Sequence, residues 1–190
     1  PYKTLADVVS AAKKRPGELS YASAGNGTIS HLLGAMLNTS AGIDMQHIPY
    51  KGVAPAINDV LGGQVPFAFA SLPSALNYIK TGKLQAIAIS SAKRASAAPE
   101  IPTLAEQGLP GFEAVSWFSL MAPANLSPTI QDRLNQLTIR TLSHPEVKSR
   151  LLAGGLDPAP GSPKELSKLI AQESAKWSRV VQQSGAKLDQ

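Results

Sequence analysis

The chain has 190 residues, of which 43% are hydrophobic and 16% are charged, and this balance excludes a disordered chain. The formal net charge is +5, but the basic residues are spread out without a dense cluster, so we expect no nucleic-acid partner. The absence of cysteine excludes disulfides, thiolate metal ligands and thiol catalysis.

The first 90 residues alternate between helical and strand patterns. Thr4 and Asp7 form a capping-box pattern at the start of a helix that ends at Pro16 and Gly17. Strands are then predicted over residues 19–23, 44–49, 65–70 and 84–89, and helices over 29–37, 53–61 and 73–80. Strands separated by helices are typical of a parallel α/β layer, which we predict for this part of the chain.

The pattern changes near residue 112, after a stretch rich in proline and glycine. One predicted strand, residues 114–121, is followed by helices that begin at Pro128, at Pro145 and at the capping box Ser162–Glu165. A lone strand with three helices lacks a sheet to pack against. We therefore expect that part of this sheet is missing or is supplied by another segment.

The sequence SAGNGT is the local feature with the clearest chemical meaning. Its glycines let the backbone approach a ligand, and the helix that follows directs free amides and its positive dipole end into the loop. These properties predict a carboxylate or phosphate site, while a simple strand-to-helix turn capped by Thr28 remains the alternative. The candidate ligand residues here are Ser23, Ala24, Gly25, Asn26, Gly27, Thr28 and His31.

Two further loops are expected at the same edge of the sheet because they also follow predicted strands. Tyr50 and Lys51, within the sequence HIPYKG, could flank an acidic ligand, and Ser71 lies in the loop after the 65–70 strand. Trp117 is a candidate for lining a cleft. The alternative for Tyr50 and Trp117 is core packing, and for Lys51 it is a solvated side chain.

Patterns for catalysis and metal binding are not found in the sequence. It contains no G-x-S-x-G, Walker A or H-E-x-x-H motif. The spacing of His31, His47 and His144 is unlike that of a metal site. We therefore predict no catalytic residue, no metal and no cofactor.

Several segments share an order along the chain that is more specific than any one of them. They are SAGNGT followed by His31 and Leu32, HIPYKG, LGGQV at 61–65, LPS at 72–74, GKLQAIAIS at 82–90, IPTLAEQGLPGFE at 101–113 and SWFSLMAPA at 116–124. Together they resemble the substrate-binding receptors of tripartite tricarboxylate transporters, the Bug family. The resemblance covers essentially the whole chain.

The resemblance implies an α/β fold of the type II periplasmic-binding class, in which two lobes enclose a ligand cleft. Residues 1–112 would be the complete second lobe. Residues 113–190 would be the crossover strand and the C-terminal, mostly helical part of the first lobe, whose preceding part is expected to be missing. The implied function is that of a periplasmic solute-binding protein, not an enzyme, which captures a small carboxylate for membrane transporter subunits.

The sequence departs from the family pattern at the loop before LPS as well. Ala70 and Ser71 replace an acidic-amide pair often found there in the family, which leaves the polarity of the ligand at this loop open. With half of the cleft missing, we expect weak ligand binding or none. Apolar surface exposed within residues 113–190 would favour a dimer.

Two other functions stay open at this point. A small α/β enzyme could use the SAGNGT loop for a phosphorylated substrate, with His31 as the nearby general acid or base. A regulatory ligand-sensing domain of the same fold would need an attached DNA-binding segment, which the sequence does not contain.

Overall fold

The structure, a computed structural model, describes residues 2–184 of the chain. Every predicted helix is present, with ends that differ by a few residues. None of the helices in this described range is long and apolar enough to cross a membrane. In chain order the elements are α1 (Leu5–Lys14), β1 (Ser20–Ser23), α2 (Ile29–Ala41), β2 (Gln46–Pro49), α3 (Val53–Leu61), β3 (Phe67–Ala68), α4 (Leu72–Lys80), α5 (Pro128–Ser143), α6 (Pro145–Ala153) and α7 (Pro163–Ser184).

Both predicted capping boxes are confirmed. The Asp7 amide donates to Thr4 Oγ1 at 3.2 Å, and the Thr4 amide donates to the Asp7 carboxylate at 2.9 Å. At the start of α7 the Glu165 amide donates to Ser162 Oγ at 3.2 Å, and the Ser162 amide donates to Glu165 Oε2 at 2.7 Å. These motifs are predictable because both partners lie within one helical turn and need no tertiary contact.

The three strands form one parallel sheet in the order β2-β1-β3, which confirms the predicted parallel layer. Tyr21 on the central strand pairs with His47 on one side and with Phe67 on the other. Tyr21, Ala22 and Ser23 are all buried, as expected for a parallel strand that is covered on both faces.

Helices cover both faces of this sheet. Consecutive strand residues point to opposite faces, and Tyr21 and Ala22 belong to different core clusters. The Tyr21 cluster includes residues of α1 and α2, and the Ala22 cluster includes Ala56 of α3. The sheet therefore lies between α1 and α2 on one side and α3 on the other.

Two of the predicted strands are wrong and a third is short. Residues 84–89 form only one parallel bridge, between Ile89 and Thr103, and the 65–70 strand is reduced to the two residues of β3. Residues 114–121 form no strand. A strand needs a neighbour that accepts and donates its ladder of hydrogen bonds, and no segment within residues 2–184 pairs with 115–121 in this way.

Ala114 is the last buried residue in the described part of the chain. None of the described residues from 115 to 184 is buried, although α5 packs against α6 and α7 packs against α2. The large apolar side chains of this part therefore meet solvent, as the sequence analysis predicts, and the exposed fraction reaches 87% for Phe118. We call these residues the C-terminal apolar set: Val115, Trp117, Phe118, Leu120, Met121, Ile130, Leu134, Leu137, Ile139, Leu156, Leu169 and Val181.

Candidate functional site

Three loops leave the sheet at one edge. The strands are parallel, so the segments after Ser23, Pro49 and Ala68 all begin at the carboxyl ends. The chain passes from β1 to β2 on one side and then returns to place β3 on the other side of β1. In open α/β sheets, ligands bind in the crevice where the strand order reverses in this way. The crevice between the β1 and β3 loops is therefore the candidate site.

The conformation of the SAGNGT loop, residues 23–28, depends on glycine. The φ angle is 131° at Gly25 and 70° at Gly27, values that side-chain-bearing residues rarely adopt. A Cβ atom on Gly25 would lie 3.2 Å from the carbonyl oxygen of Tyr50. Glycine at this position therefore lets the loop approach the HIPYKG segment closely.

Hydroxyl groups hold the backbone of the loop. The Ala24 amide donates to Ser30 Oγ at 2.9 Å, and the Gly25 amide donates to Ser23 Oγ at 3.1 Å. Thr28 Oγ1 donates to the Gly25 carbonyl oxygen at 2.6 Å. These bonds fix the backbone of the loop, which reduces the conformational entropy that binding of a ligand would cost.

The N-terminus of α2 opens toward this loop. Thr28 is the N-cap residue, and its hydroxyl accepts the amide of His31 at 3.4 Å, so the capped turn proposed as the alternative is present. Such a cap leaves other first-turn amides of an α-helix without an intrahelical acceptor. Ile29 and Ser30 carry these amides in α2. Together with the positive end of the helix dipole, they can stabilise an anion.

Two histidines stack face to face against the loop. His31 Nδ1 accepts the Gly27 amide at 3.1 Å, and His47 Nε2 lies 2.5 Å from Ser23 Oγ. The two rings are 3.8 Å apart between centroids and 5° from parallel. Burial lowers the pKa of His31 below its ordinary value of 6.5. No group of three or more potential metal ligands occurs in the described part of the chain.

The HIPYKG segment joins the SAGNGT loop through its backbone. The Tyr50 amide donates to the Ser23 carbonyl oxygen at 3.1 Å. The Tyr50 hydroxyl donates to Asp59 Oδ2 at 2.6 Å, and this hydrogen bond raises the pKa of Tyr50. The ring packs with the Ala22 cluster, while Lys51 is exposed. The hydroxyl of Tyr50 is thus committed to α3, and its backbone lies with the loop.

Ser71 and Trp117 occupy different surroundings. Ser71 is the N-cap residue of α4, at the β3 side of the crevice, and its hydroxyl is 2.8 Å from that of Ser74. Trp117 belongs to the C-terminal apolar set and is 38% exposed. The structure brings the loop of Ser71 to the same sheet edge as the SAGNGT loop. Trp117 lies in the segment 115–121, which does not pair with any strand of this sheet within the described residues.

Sequence reasoning did not single out Ser30 or His47 as site residues. Ser30 is only 7% exposed, and its hydroxyl lies 2.9 Å from Thr28 Oγ1. A second hydroxyl residue just after the N-cap was a local signal for this role. His47 reaches the loop because β2 pairs with β1, which could be known only from the strand register.

Two surface hollows lie away from this edge. One is lined by α1, the C-terminal end of α2 and residues 107–109, and the other by Met36, Ser40 and residues 108–112. No residue of the SAGNGT loop lines either hollow. The candidate site is therefore defined by its loops and by the strand order, and not by a cavity.

Comparison with known proteins identifies the family of this chain. Residues 1–186 match the family described as "Tripartite tricarboxylate transporter family receptor". The chain belongs to this receptor family. Among curated relatives, Protein BugT of Bordetella pertussis is 37% identical over 97% of this chain and 57% of its own length. A Pseudomonas protein described as "UPF0065 protein in tcbD-tcbE intergenic region" is 34% identical over 95% of this chain and 54% of its own length.

Several solved structures share the fold of this chain. R. palustris Rpa4515 with adipate has a TM-score of 0.89 and 31% identity, and the match covers 100% of this chain and 63% of that chain. MatC from Rhodopseudomonas palustris with bound malate has a TM-score of 0.79 and 31% identity, with 95% and 63% covered. The chain thus has the α/β periplasmic-binding fold in part, and it spans less than two thirds of these proteins.

Proposed function

We propose that this chain is the larger part of a periplasmic solute-binding protein that captures small carboxylates. Two solved relatives with adipate or malate support this class of ligand. The observation that carries the proposal is the position of the SAGNGT loop. It lies at the reversal of strand order beside β1, where the amides of the 13-residue helix α2 begin.

A carboxylate in this crevice would accept hydrogen bonds from the first-turn amides at Ile29 and Ser30. Backbone amides at a helix start bind a carboxylate without a charged partner. The net charge of +5 and the exposed Lys51 would raise the local concentration of anions. The candidate residues of the loop, His31, Tyr50 and Ser71 would surround the ligand on this wall, and Trp117 would contribute from the opposite wall.

The division of the chain follows from the same proposal. Residues 1–112 would form one complete lobe, and residues 113–190 would belong to the other lobe. The lack of buried residues between 115 and 184 supports this division, because a lobe without most of its sheet cannot cover its apolar side chains. Delivery to membrane transporter subunits in the periplasm is suggested by the family description and by the related periplasmic proteins.

An enzymatic function on a phosphorylated substrate has less support. The general acid or base it requires near the loop would be His31, whose Nδ1 already accepts the Gly27 amide and whose ring stacks on His47. A thermal-shift screen of carboxylates beside sugar phosphates would separate the two functions. Stabilisation by sugar phosphates alone would favour the enzyme.

Isothermal titration with adipate tests the one-walled cleft. We expect weak or undetectable binding by the 190-residue chain, since one wall supplies only part of the contacts and cannot exclude water. The adipate-binding protein of R. palustris is the positive control. Equal adipate affinity in the two proteins would contradict the proposal that this chain provides only one wall of the cleft.

A chimera tests the ligand class itself. The chain would be joined to the part of the R. palustris protein that it does not match, which restores a second wall. Adipate or malate should then bind, because both walls of the cleft are present. A folded chimera that binds no carboxylate would contradict the proposed function.

A further inference from the structure

The two stacked histidines make different hydrogen bonds with the loop. His31 Nδ1 accepts the amide of Gly27 at 3.1 Å. An imidazole nitrogen accepts only when it carries no proton, so this bond requires neutral His31 with its proton on Nε2. Protonation of His31 would place two N–H groups against each other. The Gly27 bond would then be lost.

The contact of His47 does not have this restriction. Its Nε2 lies 2.5 Å from Ser23 Oγ, and a hydroxyl can either donate or accept. When His47 donates, the Ser23 hydroxyl proton is free to bond the carbonyl oxygen of Gly25, which lies 3.2 Å from Ser23 Oγ. The Ser23 contact therefore persists in either protonation state of His47, whereas the Gly27 contact depends on the state of His31.

The surroundings of the pair favour the neutral form of His31. Its parallel partner, His47, lies 3.8 Å away between centroids, so two protonated rings would repel each other. The Tyr21 hydroxyl donates to the His31 carbonyl oxygen at 3.2 Å, and burial raises the pKa of Tyr21 to about 12, so it stays neutral. On α7, which also packs against α2, Glu173 pairs with Lys176 on its own helix.

We propose that His31 is a positioning residue for ligand capture, which holds Gly27 and with it the SAGNGT loop through the neutral imidazole. The inference rests on the proposed function, because it assigns a role at the same crevice. The loop leads directly into the first-turn amides of α2, so loss of the Gly27 bond loosens the backbone that presents those amides. Capture of a carboxylate then weakens when His31 takes up a proton.

The sign of the pH effect follows from the lowered pKa of His31. The folded protein keeps this ring neutral at pH values where an exposed histidine is protonated, so the unfolded chain binds more protons below pH 6.5. The loop contact is fully present above that value. It is lost as the pH falls through the lower pKa of the folded state.

The first experiment needs no ligand. Nuclear magnetic resonance of the 190-residue chain between pH 8 and pH 5 should show the Gly27 amide signal moving with the same midpoint as the His31 ring. Asparagine can offer an acceptor near the position of Nδ1 but does not titrate, so His31→Asn should keep a bonded Gly27 amide without the pH-dependent shift. His31→Leu should expose that amide at every pH. If the Gly27 amide signal does not change while His31 titrates in the unsubstituted chain, the inference is wrong.

The second experiment adds adipate and follows the amide signals of Ile29 and Ser30, which report weak binding. Between pH 7.5 and pH 5 the unsubstituted chain should lose about threefold to tenfold more affinity than His31→Asn, the range expected for one hydrogen bond. The Asn variant corrects for protonation of adipate itself. The exposed His144, which lies between α5 and α6, provides the matched variant His144→Asn, which should behave like the unsubstituted chain. Equal losses in all three proteins would overturn the positioning role.

The two experiments separate the inference from the function on which it rests. If Gly27 follows His31 but adipate moves no signal at any pH, even in the chimera, the hydrogen bond stands and the carboxylate function fails. If adipate binds and the Gly27 amide is independent of His31, the function stands and the positioning role fails.

Discussion

Single residues at the site act mainly through the backbone. Gly25 combines a φ of 131° with an approach to the Tyr50 carbonyl that leaves a Cβ only 3.2 Å of space. The SAGNGT pattern allowed the prediction that glycine is needed here, because positive φ angles are a local property. The contact with Tyr50 could not be predicted, since it depends on how β2 pairs with β1.

Substituting Gly25 should damage binding more than stability. Gly25→Ala adds backbone strain and pushes the loop away from Tyr50, so the chimera should lose at least about tenfold in adipate affinity, or roughly 1.4 kcal/mol. Gly42→Ala is the matched control. Gly42 also has a positive φ of 59°, but open space surrounds its Cβ position, and it lies at the other end of α2. Titration calorimetry measures both variants, and unchanged adipate binding by Gly25→Ala would exclude the proposed close approach.

At the scale of elements, α2 packs tightly against β1 at Gly34. Gly34 of α2 faces the ring of Tyr21, and a Cβ at this position would lie 2.2 Å from two ring carbons. Tyr21 is 2% exposed and cannot move aside into solvent. The start of α2, which carries the candidate amides, is thus fixed on the sheet by the absence of a side chain at Gly34.

Gly34→Ala should therefore destabilise the fold. We expect a loss of about 1–3 kcal/mol in the free energy of unfolding, as for other overpacked cores, measured by urea denaturation. Gly62→Ala serves as the control because the Cβ would meet its nearest atom at 3.4 Å and the backbone is right-handed. That variant should stay within about 0.5 kcal/mol of the unsubstituted chain. A stable Gly34→Ala protein would show that Tyr21 has room to shift.

Some features of the helices and strands could be predicted from the sequence, and others could not. The capping boxes at Thr4 and Ser162 were predictable because their partners lie three residues away. The strand predicted over 114–121 failed for the opposite reason. Its apolar pattern is that of a buried strand, but a strand is stabilised by its neighbours, and none is provided by the described residues. The stacking of His31 on His47 likewise joins two elements whose register the sequence does not reveal.

At the scale of the whole molecule, the first part of the chain buries its apolar side chains and the second part exposes them. Core clusters fill the part up to Ala114, whereas the C-terminal apolar set is exposed. Curated relatives such as BugT are longer, since the chain spans only 57% of that protein. We infer that additional polypeptide covers these side chains in the longer relatives. In the isolated 190-residue chain we propose that a second copy covers them.

Light scattering tests this expectation directly. The isolated chain should self-associate, because exposed apolar side chains gain by leaving water. Replacing Phe118, Leu120 and Met121, which are 87%, 65% and 60% exposed, by serine should shift the equilibrium toward the monomer. A control with the exposed Lys13 and Lys83 changed to serine should associate like the unsubstituted chain. If the chain is a monomer at all concentrations, a second copy does not cover these side chains. If only the added lobe of a longer relative prevents association, the C-terminal apolar set packs against that lobe in the relatives.

The strand order β2-β1-β3 has a consequence for how ligand preference can change. All three loops at the candidate edge follow strands that lie within residues 20–68. The three loops of the candidate crevice therefore come from one continuous stretch of the polypeptide. Exchanging residues 20–71 between relatives would transfer the three candidate loops together with α2 and α3, while α1, which also covers the sheet, would stay with the recipient.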